Sequence, residues 1–365
     1  MKVGVITFHN AMNYGATLQT YALQKALTKL GAEAAVINYH TEPIDVLYLP
    51  ARADTLGKKL MFAFSPDFRR KIREQKYKYQ RYHAFLNKYI KIEGNYTQYS
   101  ELEKNPPLYD AYITGSDQVW NVEHTGGFDG AYLLDFVKKG RRISYAASIG
   151  SDYIPFQYKS QFEKSLEKFD AISVREQEGV KAVSQVCSKK AEIVLDPTLL
   201  LQREDYNEIL VEKKRPYKYI LVYMMETNKS MISLVNSISS TMGLPIIQRR
   251  QVSFFNNEAD SFYTDTPGEF IGEIQNAEYV ITNSFHGTVF SIMYEKPFIS
   301  MLHSSTGSRV TDLLESLGLD EHIIRTASDF KTMSQFEIKD KAALRERIDK
   351  LAGKSMDFLK KSLKL

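Results

Sequence analysis

The segment NSFHGT at residues 283–288 puts a histidine, a glycine and two hydroxyl side chains within six positions. It follows one short apolar run (278–282) and opens another, the pattern of a strand turning into a helix. Amides at a helix start lack intrahelical partners, and the helix dipole favours anions there. Ser284, Gly287 and Thr288 therefore read as a phosphate cradle, with Gly287 letting a ligand approach the backbone. His286 beside a bound phosphate could stay charged as a clamp or donate a proton. Arg175 ends the run 171–174, where its planar fork could hold a carboxylate; its alternative partners are Glu176 and Glu178 just beyond. Arg309, in TGSRV at 306–310, is a second candidate anion clamp. Asp117 stands at another strand end with Gly115 and Ser116, and could orient a sugar hydroxyl, act as a base or cap the next helix. Asn13, Tyr14 and Gly15, in the loop after the first strand, could line the same cleft. That loop lacks the glycine spacing of a dinucleotide fingerprint. Asp196-Pro197 reads as a strand-ending turn.

Such residues need a scaffold that brings strand ends together. The run 3–8 is continuous and β-branched, 18–30 has helical spacing stopped by Gly31, and 34–39 is a second apolar run. Strand, helix and strand within forty residues make a βαβ unit with a parallel sheet. Residues 51–105 break the rhythm and read as a helical insertion with a long helix over 66–89. Alternation resumes with strands at 109–114, 142–147, 171–174 and 192–197. Periodicity lapses over 198–216, and a second α/β set begins at 219. We therefore expect an N-terminal Rossmann-like domain over 1–205 and a C-terminal one over 206–340. A Lys-rich helix over 341–365 is expected to pack back on the first domain. Two such α/β domains face one another across a cleft, where parallel sheets bind ligands at their carboxyl ends.

Bulk properties narrow the function. A balance of 48 basic to 44 acidic residues is too even for a nucleic-acid coat. One cysteine excludes an intrachain disulfide and a cysteine-held zinc, which suits a reducing compartment. The apolar start is too short for a signal peptide, and no run is long enough to span a bilayer. A cytoplasmic protein is expected, with weak attraction of the C-terminal lysines to the inner membrane face as a lesser alternative.

Taken in order, several short segments carry a resemblance: NYGA at 13–16, GSDQVWN at 115–121, SYAAS at 144–148, SVRE at 173–176, LDPT at 195–198 and TNSFHG at 282–287. Together they resemble the polysaccharide pyruvyl transferase family, over residues 3 to about 318. The resemblance implies a glycosyltransferase-B-like fold and transfer of an enolpyruvyl-derived group from phosphoenolpyruvate. The product would be a pyruvate ketal on a sugar of a surface polysaccharide or its precursor, the acceptor being a sugar or a lipid-linked oligosaccharide. It further implies anion clamping by Arg175 and Arg309, proton transfer by His286 and sugar alignment by Asp117. Neither a metal nor a cofactor beyond phosphoenolpyruvate as co-substrate is expected. One alternative is a nucleotide-sugar glycosyltransferase, whose ribose-binding glutamate would fall where Tyr294 stands, one residue before Glu295; a one-residue shift turns a helical side chain by about 100°. The other is a non-catalytic sugar-binding relative.

Overall fold

The computed structural model describes residues 1–49, 63–250, 252–304 and 307–365. Strands β1 (Lys2–Ile6), β2 (Glu33–Tyr39), β3 (Ile92–Tyr96), β4 (Ala111–Thr114) and β5 (Arg141–Ser144) form one sheet in the order β3-β2-β1-β4-β5, all parallel. Strands β6 (Ile172–Val174) and β7 (Ala191–Ile193) pair with each other and join β5 through single bridges, Ile143 to Ala171 and Ala147 to Val174. The second sheet contains β8 (Ile220–Tyr223), β9 (Ile246–Gln248), β10 (Glu258–Ser261), β11 (Tyr279–Thr282), β12 (Phe298–Met301) and β13 (Ile323–Ile324). Its order is β10-β9-β8-β11-β12-β13, again all parallel. Central strands such as β4 and β8 are buried throughout because helices cover both faces, which is why they read as unbroken apolar runs.

Both sheets reverse direction of winding between two central strands, β1 and β4 in the first and β8 and β11 in the second. The loops leaving these strands diverge and open a crevice, the usual ligand position in a doubly wound sheet. The first pair of loops carries Asn13 and Asp117, and the second carries Met225 and Ser284. The fold thus directs the candidate residues of both halves toward each other.

One apolar cluster continues across the two halves, from Val5, Leu18 and Tyr21 to Tyr206, Phe270, Ile274 and Phe290. Tyr14 is its joint. It is fully buried, stacks on Phe270 with ring centres 4.5 Å apart, and donates its hydroxyl to the Phe262 carbonyl at 2.8 Å. An interface of this kind resists the free domain rotation expected when few apolar contacts cross a boundary. The helix Lys341–Leu363 lies across the first sheet's side: Ser355 Oγ accepts from the Leu195 amide, and Arg141 Nε donates to the Ser362 carbonyl. Among the described residues no helix is long and apolar enough to cross a membrane.

The 51–105 stretch departs from expectation in one respect. The helix Pro66–Tyr89 is present, started by Pro66 and by Ser65, whose hydroxyl accepts from the Phe68 amide. Beyond it, however, lies β3, which extends the first sheet beside β2. Its sequence, IEGNY, hides this because an edge strand exposed to water needs little apolar character. Residues 50–62 lie outside the described residues.

Tyr14→Phe removes only the hydroxyl and its bond to the Phe262 carbonyl, which keeps the Asp265 amide as its other donor. Stability measured by urea unfolding should fall by about 0.5–1.5 kcal/mol, the net worth of such a bond. An unchanged midpoint would show that the hydroxyl adds nothing to holding the two halves together.

Candidate active site between the two sheets

The centre of the interface is Asp196, which follows β7 and is 2% exposed. Its Oδ1 accepts from the amide and hydroxyl of Thr198, at 3.0 and 2.6 Å. Its Oδ2 accepts from Arg175 Nη1 at 2.8 Å and from Ser116 Oγ at 3.2 Å, and lies 3.6 Å from His286 Nε2. Burial alone would raise this carboxyl's pKa, but His286 and Arg175 overcome it and hold the group well below the usual carboxylate range. Asp196 is therefore an anion that fixes a residue from each half of the molecule. The sequence reading of a mere turn missed it, because Asp before Pro is also what a simple turn looks like.

Arg175, at the end of β6, has a buried guanidinium. Its main partner is Asp196, correcting the expectation that its salt-bridge alternatives were Glu176 and Glu178. Glu178 instead accepts from Ser308 Oγ at 2.7 Å, across the interface. Glu176 lies 3.8 Å from Arg175 Nε and Asp117 lies 3.7 Å from Nη2, both beyond hydrogen-bonding reach. Arg175 Nε and Nη2 thus remain buried donors with no acceptor among the described residues.

Arg309 comes to the same place from the helix Ser308–Leu317. The guanidinium carbons of Arg175 and Arg309 lie 4.6 and 6.0 Å from the Phe285 ring centre. Burial and the neighbouring Arg175 pull the Arg309 pKa down to about 10, and its Nε is unpartnered among the described residues. Glu176 is fully buried with neither oxygen hydrogen-bonded among the described residues; burial pushes its pKa up against the opposing pull of Arg175 and Arg309. Buried polar atoms in folded proteins are nearly always paired, so this concentration of exceptions needs an explanation. A bound, charged ligand is the simplest one.

The turn after β11 is a helix start, as read from NSFHGT, but its parts act differently from that reading. Ser284 is the N-cap: its hydroxyl accepts from the Gly287 amide, while the Thr288 amide bonds the Ser284 carbonyl. The Gly287 and Thr288 amides are thus already used, and the open ones belong to Phe285 and His286. The Thr288 hydroxyl is fully buried and bonds Ser284 and Ser300, turned into its own domain. Gly287 is required for packing, since a Cβ there would come within 2.3 Å of Thr282 Oγ1. Ser284 Oγ, the Gly287 amide and Thr288 are accordingly engaged within the protein itself, which corrects the expectation that they form the cradle.

His286 does reach the interface. It packs on Gly15, where a Cβ would lie 1.9 Å from the imidazole Nδ1, so only glycine admits the ring. Nε2 has no hydrogen bond among the described residues. Asn13 caps the helix Tyr14–Lys29, its side chain accepting from the Gly15 amide. Tyr14 is a domain joint rather than a cleft-lining group, because its hydroxyl is bonded and its ring is covered. Gly115 adopts φ +112, with Tyr145 O only 2.2 Å from where a Cβ would stand, so it serves the turn. Ser116 is fully buried and holds Asp196. Asp117 has φ +74, an uncommon conformation for a non-glycine residue, and its Oδ1 accepts from the Gln118 amide. It borders a cavity of about 410 Å³ with Asn13, Tyr48, Gln118 and His124. A smaller cavity of about 120 Å³ reaches Arg175, Arg309 and Phe285 from the side of the C-terminal helix. Among the described residues no cluster of histidine, cysteine and acidic groups could hold a metal.

A family model, polysaccharide pyruvyl transferase, matches residues 13–305. No curated protein matches the chain significantly. Among solved structures, S. aureus MnaA in a co-structure with UDP is 11% identical, with a TM-score of 0.50, over 100% of this chain and 97% of that one. A Thermobaculum terrenum O-GlcNAc transferase mutant is 12% identical, with a TM-score of 0.47, over 99% of this chain; this chain spans 66% of it, just under two thirds of its length. A UDP-GlcNAc 2-epimerase from Methanocaldococcus jannaschii, in complex with UDP-GlcNAc and UDP, is 11% identical, with a TM-score of 0.46, over 99% of each chain. Likeness at such identity concerns the fold alone: two Rossmann-like domains in a glycosyltransferase-B arrangement.

Asp196→Asn would take from buried Arg175 the carboxylate that it hydrogen-bonds. Stability at pH 7 should fall by about 3–5 kcal/mol, the cost of breaking a buried pair from one side. Because the folded pKa of Asp196 lies below its unfolded value of about 3.9, its stabilisation is complete above that pH and is lost as pH falls toward the folded value. The gap between wild type and variant, followed by urea unfolding, should therefore narrow below about pH 4. A gap independent of pH would show that the charge of Asp196 is not what stabilises the interface.

Proposed function

Because the chain belongs to the polysaccharide pyruvyl transferase family and is thus a transferase, we propose that the donor is phosphoenolpyruvate, held between Arg175, Arg309 and the start of the Phe285–Met293 helix. The observation that carries this reading is the set of unpartnered buried atoms on Arg175, Arg309 and His286. Phosphoenolpyruvate bears a carboxylate and a phosphate on a three-carbon frame. Its carboxylate suits Arg175 Nε and Nη2, two parallel donors in a fixed fork. Its phosphate suits the open amides of Phe285 and His286, aided by Arg309.

In this reading His286 Nε2 gives its proton to the methylene carbon, turning it into the methyl group of the product. The electron-poor carbon next to it is attacked by one sugar hydroxyl, whose proton passes to a base. The C–O bond to phosphate then breaks, phosphate leaves with that electron pair, and the second hydroxyl closes the ketal as its own proton is released. Asp196, 3.6 Å from His286 Nε2, orients the ring, which makes it a positioning residue. Asp117, at the mouth of the larger cavity, aligns the acceptor hydroxyl. No cofactor and no metal enter this scheme, and the setting we propose is the cytoplasmic side of the cell envelope, where surface-polysaccharide precursors are made.

Nucleotide-sugar transfer is less well supported. Glu295, the nearest acid to the expected ribose position, bonds Arg345 and lies 3.8 Å from Lys341, both on the C-terminal helix. Tyr294 is buried.

The test combines chemistry and binding. Incubation of acceptor mixtures with phosphoenolpyruvate should yield a pyruvate adduct by mass spectrometry. His286→Asn keeps a donor but cannot supply a proton near neutral pH. Turnover should drop by about 10²–10⁴-fold, with donor affinity much less affected and one limb of the pH–rate profile gone. Near-normal turnover with weakened binding would make His286 a clamp and move the acid elsewhere. Arg175→Lys should weaken donor binding by about 1.5–3 kcal/mol, the worth of a charged hydrogen bond; unchanged affinity in the folded variant would confine Arg175 to holding Asp196.

A further inference from the structure

A second pair of basic side chains, Lys78 and Arg249, lies among the rings of Tyr14, Tyr82, Tyr223 and Tyr263. Lys78, on the helix Pro66–Tyr89 of the first half, is only 4% exposed. Its ammonium sits 4.5 Å from the Tyr263 ring centre and 5.5 Å from that of Tyr82. It makes no hydrogen bond or ion pair among the described residues. Arg249, just after β9 in the second half, places its guanidinium 5.5 Å from the Tyr14 ring centre and 5.6 Å from that of Tyr223. Its Nη1 reaches only Met225 Sδ, at 3.4 Å, and its buried Nε has no partner. Burial first and Arg249 second pull the Lys78 amine well below its ordinary range. Neither cation has a carboxylate partner among the described residues.

Lys78 and Arg249 sit on Tyr82 and Tyr14, rings that stack with centres 5.7 Å apart, and two basic groups so placed without a counter-ion among the described residues repel each other and forgo hydration. Aromatic faces return only part of that. Tyrosine walls also exclude water, which strengthens any ionic bond made to an incoming anion. The geometry links this pair to the reaction site. Tyr223 carries Arg249 on its face, and its Cδ1 stands 3.0 Å from where a Cβ on Gly287 would be. Tyr48 borders the 410 Å³ cavity with Asp117 and also feels the charge of Arg249.

We propose that Lys78 and Arg249 form a phosphate subsite for the acceptor, which is therefore a glycosyl phosphate or diphosphate whose sugar extends toward Asp117. The assignment of this anion to the acceptor rests on the reading that Arg175 and Arg309 take the donor. The carrier beyond the phosphate is a nucleoside or a lipid.

Calorimetric titration of the full chain with inorganic pyrophosphate, in the presence of saturating phosphoenolpyruvate, tests the subsite. Lys78→Met and Arg249→Gln should each weaken pyrophosphate binding at least tenfold while changing phosphoenolpyruvate affinity less than twofold. Arg309→Gln should show the reverse pattern. Lys78→Met should also raise the melting temperature of the ligand-free protein, because a buried amine without a hydrogen-bond partner among the described residues is gone; a packing role would lower it. Unchanged pyrophosphate affinity in both folded variants overturns the proposal, as does a lower melting temperature for Lys78→Met with affinity retained. If phosphoenolpyruvate fails to bind wild type while the pyrophosphate pattern holds, the donor reading falls and the subsite stands. Parallel titrations with UDP and geranyl diphosphate identify the carrier: whichever binds more tightly than pyrophosphate, and loses that gain in Arg249→Gln, names its class.

Discussion

The carboxylate of Asp196 is the interaction on which the rest of the site depends. It is almost wholly removed from water, and Thr198, Ser116 and Arg175 supply the hydrogen bonds that replace hydration. An ionised carboxylate can stay buried only with such compensation. By occupying Arg175 Nη1 it fixes the guanidinium plane and leaves Nε and Nη2 as a preset fork. By standing near His286 it ties the first half of the molecule to the second half's helix start. Preorganisation of this kind lets charged groups act without rearranging during a reaction.

The contacts around Asp196 are made possible by features with no chemistry of their own. Gly15 lets the His286 ring lie against the backbone of the first half, and Tyr14, one residue earlier, is buried in the aromatic cluster of the second. The two halves therefore meet over a continuous apolar core, and the polar residues sit in a gap whose shape that core sets. Beside this well-compensated carboxylate are groups with no hydrogen-bond partner among the described residues: Glu176, Arg309 Nε, and Arg175 Nε and Nη2. A fold tolerates such local conflicts where a ligand resolves them. Their concentration between the carboxyl ends of strands from the two halves matches where ligands bind in parallel sheets.

Much of this was legible in the sequence. Unbroken apolar runs revealed parallel strands covered on both faces, and the strand ends in turn located Asp117, Arg175 and His286. The division of labour within NSFHGT was not legible. Whether Gly287 admits a ligand or a neighbouring strand depends on what stands opposite, and Thr282 is opposite only in the folded chain. Tyr14 looked like a loop residue because its partners, Phe262 and Phe270, are some 250 positions away in the chain. Asp196 was disguised by its proline. Lys78 was hidden in a helix dense with lysine and arginine, where the usual expectation is a solvated face. In each case the missing information was tertiary: which surface a residue of known type would meet.

The most direct test of the central claim is a crystal structure of the protein with phosphoenolpyruvate at saturating concentration. The account predicts density with the carboxylate against Arg175 Nε and Nη2, the phosphate on the amides of Phe285 and His286, and Asp196 unmoved. A donor bound elsewhere, or an interface left unchanged with those atoms still unpartnered, would contradict it.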